Sequence, residues 1–292
     1  MYKYFKPRIR SRHPSHAKLR HDDRLPLFSF KSIIRFGSLT DMKDTITNGG
    51  DRIEINKIDA IQNSSNKLLM KQCFDRDEVP TAMWVKGDEN VTENLSSKFE
   101  DGIIHFPIIA KHIYGSKGKG NYKIDDYDAF KTFLIKRDND IHNFIFEKFY
   151  NYSREYRLHI TDESCFYTCR KMLKSDTPSN KRWYRNDDNS VWVLEENEMF
   201  DKPCNWDEVI KQSIKALKSV GLHIGAVDLR IQSATNSKNE KRKDPKFIIV
   251  EINSAPSFGD ITLEKYTQEL PKLLLKLKNE KQNNSIRRCW NK

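Results

Sequence analysis

The chain has 292 residues, with 52 Lys and Arg against 41 Asp and Glu and a formal net charge of +11. Hydrophobic residues at 37% and aromatics at 11% exclude a disordered chain, and no apolar run approaches the roughly 18 residues of a membrane span. A soluble, cytoplasmic protein of one large domain or two modest ones is therefore expected.

The positive balance suits an anionic partner such as phosphates, acidic peptides or nucleic acid, and a lysine-rich solvated surface accounts for it equally well. Cys73, Cys165, Cys169, Cys204 and Cys289 form no CxxC pair, which predicts reduced thiols. The basic N-terminus lacks an apolar core behind it and does not read as a secretion signal.

Residues 1–26 are rich in Arg, Lys, His and Pro, show no periodicity, and predict an irregular arm. FSFKSIIRFGS (28–38) reads as a strand ending at Gly37. A helix-like stretch follows at 66–77, then a short strand at 79–85 and another at 106–113. GSKGKGN (115–121) is a loop. Residues 125–137 form an amphipathic helix whose apolar face carries Phe130, Phe133 and Leu134. A strand at 143–150 leads into a hairpin turning at Asp162-Glu163-Ser164.

Residues 205–221 give the clearest helix, with Asn205 and Glu208 spaced as a capping box and Gly221 at the C-cap position. Strands at 223–232 and 246–253 flank a polar loop. The last helix, 263–279, contains Pro271 and is expected in two pieces. The mixture predicts an α+β fold of antiparallel sheets covered by helices.

Alternation along a strand places Ala226, Asp228 and Arg230 on one face, with Val227, Leu229 and Ile231 on the other. In FIIVEIN it groups Ile248, Val250 and Ile252 against Phe247, Ile249, Glu251 and Asn253. If the two strands pair, Asp228, Glu251 and Asn253 can converge as a hard oxygen donor set of the kind Mg²⁺ shares with substrate phosphates. Any one of these alone is an ordinary solvent-facing residue. AKHIYGSKGKGN offers Ser116, Gly118 and Gly120 in a loop whose backbone N–H groups can approach phosphates. It is not a Walker A sequence. Lys111, in an apolar strand, needs an anionic partner unless it faces solvent. Glu155, Arg157 and His159 share a strand face, which also suits a cross-strand ion-pair ladder.

In this order the features resemble the ATP-grasp superfamily of carboxylate–amine ligases, over about residues 63–275. The likeness is to the branch holding the ribosomal-protein glutamate ligase, glutathione synthetase and D-alanine–D-alanine ligase. AVDLR followed by IIVEINSAP is similar to that family's closing pair of strands. The resemblance implies two α+β lobes clasping ATP, with a short N-terminal substrate-side segment at 1–62, a small lobe at 63–146 and a large lobe at 147–292.

It further implies Lys67 and Lys111 on the phosphates and 115–121 as a lid. Glu147, Lys148 and Phe149 would face adenine, and Glu155 the ribose. Asp228, Glu251 and Asn253 would hold Mg²⁺, as two ions that Mn²⁺ can replace. Arg157, Arg185 and Arg230 would serve the transferring phosphate or the substrate carboxylate, with Asn186 at the phosphate end. The branch often has Asp-Ile-Arg where this chain has Glu155-Tyr156-Arg157, and a glycine pair near Asn186 is missing.

The activity implied is ATP-dependent amide formation through an acyl phosphate, between an amino-acid or peptide carboxylate and an amine. The alternatives are a kinase on the same fold and a non-catalytic nucleotide-binding protein. Nucleic acid stays open as a partner, a membrane is not expected, and the oligomeric state is open, with a homodimer one possibility.

Overall fold

The computed structural model describes residues 3–11, 13–40, 52–115 and 119–290, with side chains through 284. Three sheets organise these residues. β1 (Arg8–Ser11), β2 (Lys31–Phe36) and β3 (Arg52–Ile55) form a parallel sheet in that order. The irregular arm expected at 1–26 is corrected here, because Ile9, Leu19 on the short helix α1 (Ala17–Arg20) and Leu25 are buried together with Phe28 and Phe30. In the strand RIRS only Ile9 turns inward, and one apolar residue in four leaves no visible period.

This N-terminal core closes on α7 (Asp260–Trp290) through Leu263, Tyr266, Leu270, Leu273 and Leu274. α7 is one helix, not two. Pro271 sits inside it and costs a backbone bond, yet the apolar stripe on both sides keeps the helix seated.

The second sheet has the antiparallel order β4-β7-β5-β6, from β4 (Trp84–Lys86), β5 (Ile108–His112), β6 (Asn121–Ile124) and β7 (Phe144–Lys148). α4 (Val91–Glu100) and α5 (Tyr127–Lys136) enclose its core of Val85, Leu95, Ile108, Phe130, Phe144 and Phe146. Asp126 caps α5 by accepting a bond from the Ala129 N–H.

The third sheet, β10-β9-β8-β11-β12, is antiparallel throughout. It comprises β8 (Arg154–Thr161), β9 (Cys165–Leu173), β10 (Ser190–Leu194), β11 (Ile224–Ile231) and β12 (Phe247–Asn253). α2 (Ile58–Ser65), α3 (Lys67–Arg76) and α6 (Trp206–Ser219) pack on one face, around Phe74, Leu158, Leu217, Val227 and Ile249. Gly221 ends α6 at φ +84°, the left-handed conformation its position demanded. The capping box does not form, since the Asn205 amide instead donates to Asp244 and to the Pro245 carbonyl. Among the described residues no helix is long and apolar enough to cross a membrane.

Candidate functional site

β11 and β12 pair with Asp228 opposite Glu251, but the next pair is Leu229 with Ile249. Val250 is therefore an extra residue, a β-bulge. The strict alternation expected for β12 is corrected accordingly, because Ile249 joins Ile252 in the core while Glu251 and Asn253 stay on the opposite face. The Asn253 amide donates to Asp228 Oδ2 at 3.0 Å and to Glu251 Oε1 at 3.5 Å. The three residues thus meet at one lip. Arg157, across from Asp228 on β8, donates to both of its carboxylate oxygens at 2.7 Å.

Burial pushes the Asp228 carboxyl above its ordinary value; Arg157 opposes this, and Glu251 and Glu155 reinforce it. Burial would also raise Glu251, but Lys67, Lys111 and Arg157 outweigh it and lower that carboxyl. A buried carboxylate, a half-buried one and a carboxamide fit a divalent cation by the chemistry of the donor set, with room in the ligand count for phosphate oxygens. Among the described residues there is no group of three or more His, Cys, Asp or Glu able to hold a metal without such help.

Lys67 opens α3, whose N-cap is Asn66; the Asn66 Oδ1 accepts from the Leu68 and Leu69 N–H groups. The Lys67 ammonium donates to the Gly115 carbonyl and stands 3.8 Å from Glu251 Oε2. Lys111 on β5 does not face bulk solvent, since its ammonium is 2.6 Å from Glu147 Oε2. The other Glu147 oxygen is 3.0 Å from Lys71. Burial alone would raise Glu147, yet the two lysines hold it at about 2. Gly115 closes the base of the loop, where an added Cβ would stand 2.5 Å from the Lys119 carbonyl. Gly120, at φ +78°, lies against His112. Ser116 and Gly118 lie outside the described residues.

Glu155 on β8 faces Arg230 on β11. Its Oε2 accepts from Arg230 Nε at 3.0 Å and from Arg185 Nη1 at 3.4 Å. Arg230 also donates to the Trp183 carbonyl, and Arg185 to the Ser153 carbonyl, so the segment between β9 and β10 is laid over this row. Lys171 donates to the Arg185 carbonyl from the same register position as Glu155. The Arg157 guanidinium lies 4.8 Å over the Trp192 ring. Asn186 is engaged in its own turn, accepting from the Asp188 and Asn189 N–H groups. Lys148 donates its ammonium to the Ile103 carbonyl and its backbone N–H to Met83. Phe149 lines a cleft of about 320 Å³ with Tyr150, Tyr152, Ser153, Gln232 and Arg242.

No family model matches the chain, and no curated protein matches it in sequence. Solved structures do. D-alanine–D-alanine ligase from Bacillus anthracis superimposes with a TM-score of 0.56 at 15% identity, over 92% of this chain and 83% of that one. The same ligase complexed with ATP gives 0.55 at 15% identity, over 84% and 77%. N5-carboxyaminoimidazole synthetase from Staphylococcus aureus, complexed with ADP, gives 0.53 at 16% identity, over 77% of this chain and 54% of that one. The chain has the ATP-grasp fold.

Two contributions to this ATP-grasp fold escaped sequence reading. Lys71 drew no reading within the helix-like stretch 66–77, and only the fold shows it fully buried beside Glu147. His16 belongs to the supposed arm, yet its ring is buried between Phe36 and Phe258 and its Nε2 is 2.7 Å from the Pro256 carbonyl. Nδ1 of the same ring meets the Ser11 hydroxyl, and the Ser15 hydroxyl accepts from the Phe258 N–H at 3.0 Å. The N-terminal segment thereby grips the turn that follows Asn253. Gly37 lies against the same turn, where an added Cβ would stand 2.9 Å from Ala255 Cβ.

Proposed function

We propose that the chain is an ATP-dependent enzyme that joins a carboxylate to an amine through an acyl phosphate, releasing ADP and phosphate. The observation that carries this reading is the meeting of Lys67 with the lip of Glu251, Asp228 and Asn253, with Lys111 and Glu147 close behind. Cations from one side and hard oxygen donors from the other suit a polyphosphate bound with a divalent cation. Asp228, Glu251 and Asn253 would hold the cation, Mg²⁺ or Mn²⁺, and when bound it would neutralise phosphate charge.

The chain's own residues have separate tasks in this reading. Lys67 and Lys111 bind phosphate oxygens. Glu147 to Phe149 border the adenine, and Glu155 stands at the ribose end. Arg230 and Arg185, held together by Glu155, are poised for an anionic acceptor, and Arg157 orients Asp228. Residues 115–121 would close over the phosphates and exclude water, which otherwise hydrolyses an acyl phosphate. A carboxylate is a poor electrophile because oxide would have to leave, and phosphorylation converts the leaving group to phosphate. Positioning and charge neutralisation then supply most of the rate.

The test is ADP release with Mg²⁺ and ATP while amino acids and acidic peptides are screened in pairs with amines, followed by mass spectrometry of the product. An amide-linked mass supports the ligase. A phosphoester product would make the protein a kinase, and no ADP with any pair would leave it a nucleotide binder at most.

A further inference from the structure

Lys71 lies one turn beyond Lys67 on α3 and has no exposed surface. Its helix neighbours Met70, Cys73 and Phe74 pack in the core of the five-stranded sheet, so the ammonium is drawn out of water among apolar groups. Three acceptors meet it: Glu147 Oε1 at 3.0 Å, the Thr81 hydroxyl, and the Ala82 carbonyl at 3.4 Å. These match the three donors of an ammonium.

Two of the acceptors lead on to the proposed site. The second oxygen of Glu147 holds Lys111. The Thr81 hydroxyl donates in turn to the Ile249 carbonyl at 2.9 Å, at the bulge just before Glu251. A buried lysine–carboxylate–lysine row contributes little net stability compared with apolar side chains of the same size, which points to a geometric task.

We propose that Lys71 is a positioning residue of the nucleotide site, fixing the Glu147 carboxylate, and through it the Lys111 ammonium, where the phosphates arrive. The same ammonium ties that place to the strand bearing Glu251. This rests on the nucleotide reading above, and Lys71 itself touches no nucleotide.

The charged and titratable groups facing Glu147 are Lys71 from α3, Lys111 from β5 and Tyr150 just beyond β7, and Asp75 faces Lys71 along α3. With both lysines present Glu147 stays a carboxylate through the neutral range. Without Lys71, burial acts against a single cation, and the carboxyl takes up a proton as the pH falls and lets Lys111 go.

The experiment is calorimetric titration of the full chain with ATP and Mg²⁺ at three pH values from about 6 to about 8, for wild type, Lys71→Met, Glu147→Gln and the double variant. Lys71→Met is expected to weaken ATP about tenfold relative to wild type at the acid end and less at the alkaline end. Because Lys71 acts through Glu147, the double variant should bind ATP as Glu147→Gln does, and should fold even if Lys71→Met does not, since no carboxylate is left buried with one of its two cations gone. Wild-type affinity in Lys71→Met at every pH, or full additivity in the double variant, would overturn the positioning role. Failure of the wild type to bind ATP would overturn the nucleotide reading first, and this one with it.

Discussion

Arg157 and Asp228 stand opposite each other on β8 and β11 and share two parallel hydrogen bonds of 2.7 Å. Asp228 is buried and Arg157 partly so, and the guanidinium also covers the Trp192 ring. Burial would lower the Arg157 pKa, but Asp228 more than compensates and raises it, so the arginine is a fixed cation. Its geometry leaves one lone pair on each Asp228 oxygen, and Asn253 takes the one on Oδ2, so Oδ1 is left for a further partner. Arg157→Met should lower the unfolding free energy by roughly 3 kcal/mol, because it strands a buried carboxylate. Adding Asp228→Asn should recover most of that loss. Urea unfolding of both variants checks this, and additive losses would contradict it.

Glu251→Gln and Asp228→Asn should each cut ATP turnover by at least about a hundredfold while the chain stays folded. Neither change alters side-chain volume, and each removes one charged oxygen from the lip. Circular dichroism beside an ADP assay separates the two effects. Near-wild-type turnover in both variants would remove the metal assignment.

The acid lip was legible in the sequence because three things agreed: period-two alternation on 223–232, the polar loop after it, and the spacing Glu251-Ile252-Asn253. The same alternation misplaced Ile249, because a bulge inserts Val250 without a mark in composition. Lys111 was flagged as needing an anion, but the anion it meets is Glu147, expected to sit in the adenine hinge. Lys71 and His16 stayed hidden, since each is polar and only contacts distant in sequence bury it. The partner of His16 lies 240 residues away. Pro271 misled in the other direction, as tertiary packing overrode a local breaker.

His16 should hold the turn after Asn253 in place. Its Nε2 donates to the Pro256 carbonyl, a role a glutamine amide can take over. His16→Leu should therefore speed amide hydrogen exchange across residues 254–258 and cost about 1 kcal/mol, whereas His16→Gln should restore most of the protection. Equal exchange in wild type and His16→Leu would show that the turn is held without the histidine.

Two buried histidines, His16 and His159, and the half-buried His223 make the fold sensitive to acid. Burial lowers His16 to about 4 and His159 to about 3, and lowers His223 as well. All are neutral in the fold and depressed below their unfolded value of 6.5. The unfolded chain therefore binds more protons between these limits, and stability present above 6.5 is lost as the pH falls. His16 alone should account for on the order of 3 kcal/mol between about pH 6.5 and about pH 4. Urea midpoints taken across that window should fall steadily toward acid, and a flat series would contradict the burial of these rings as neutral groups.

The most direct test of the central claim is the fate of ATP. Wild-type protein with ATP, Mg²⁺, a carboxylate and an amine should release ADP and phosphate in equal amounts, together with a product heavier by the amine less water. ADP without any acceptor-linked mass, or no ADP from any pair of substrates, would contradict it.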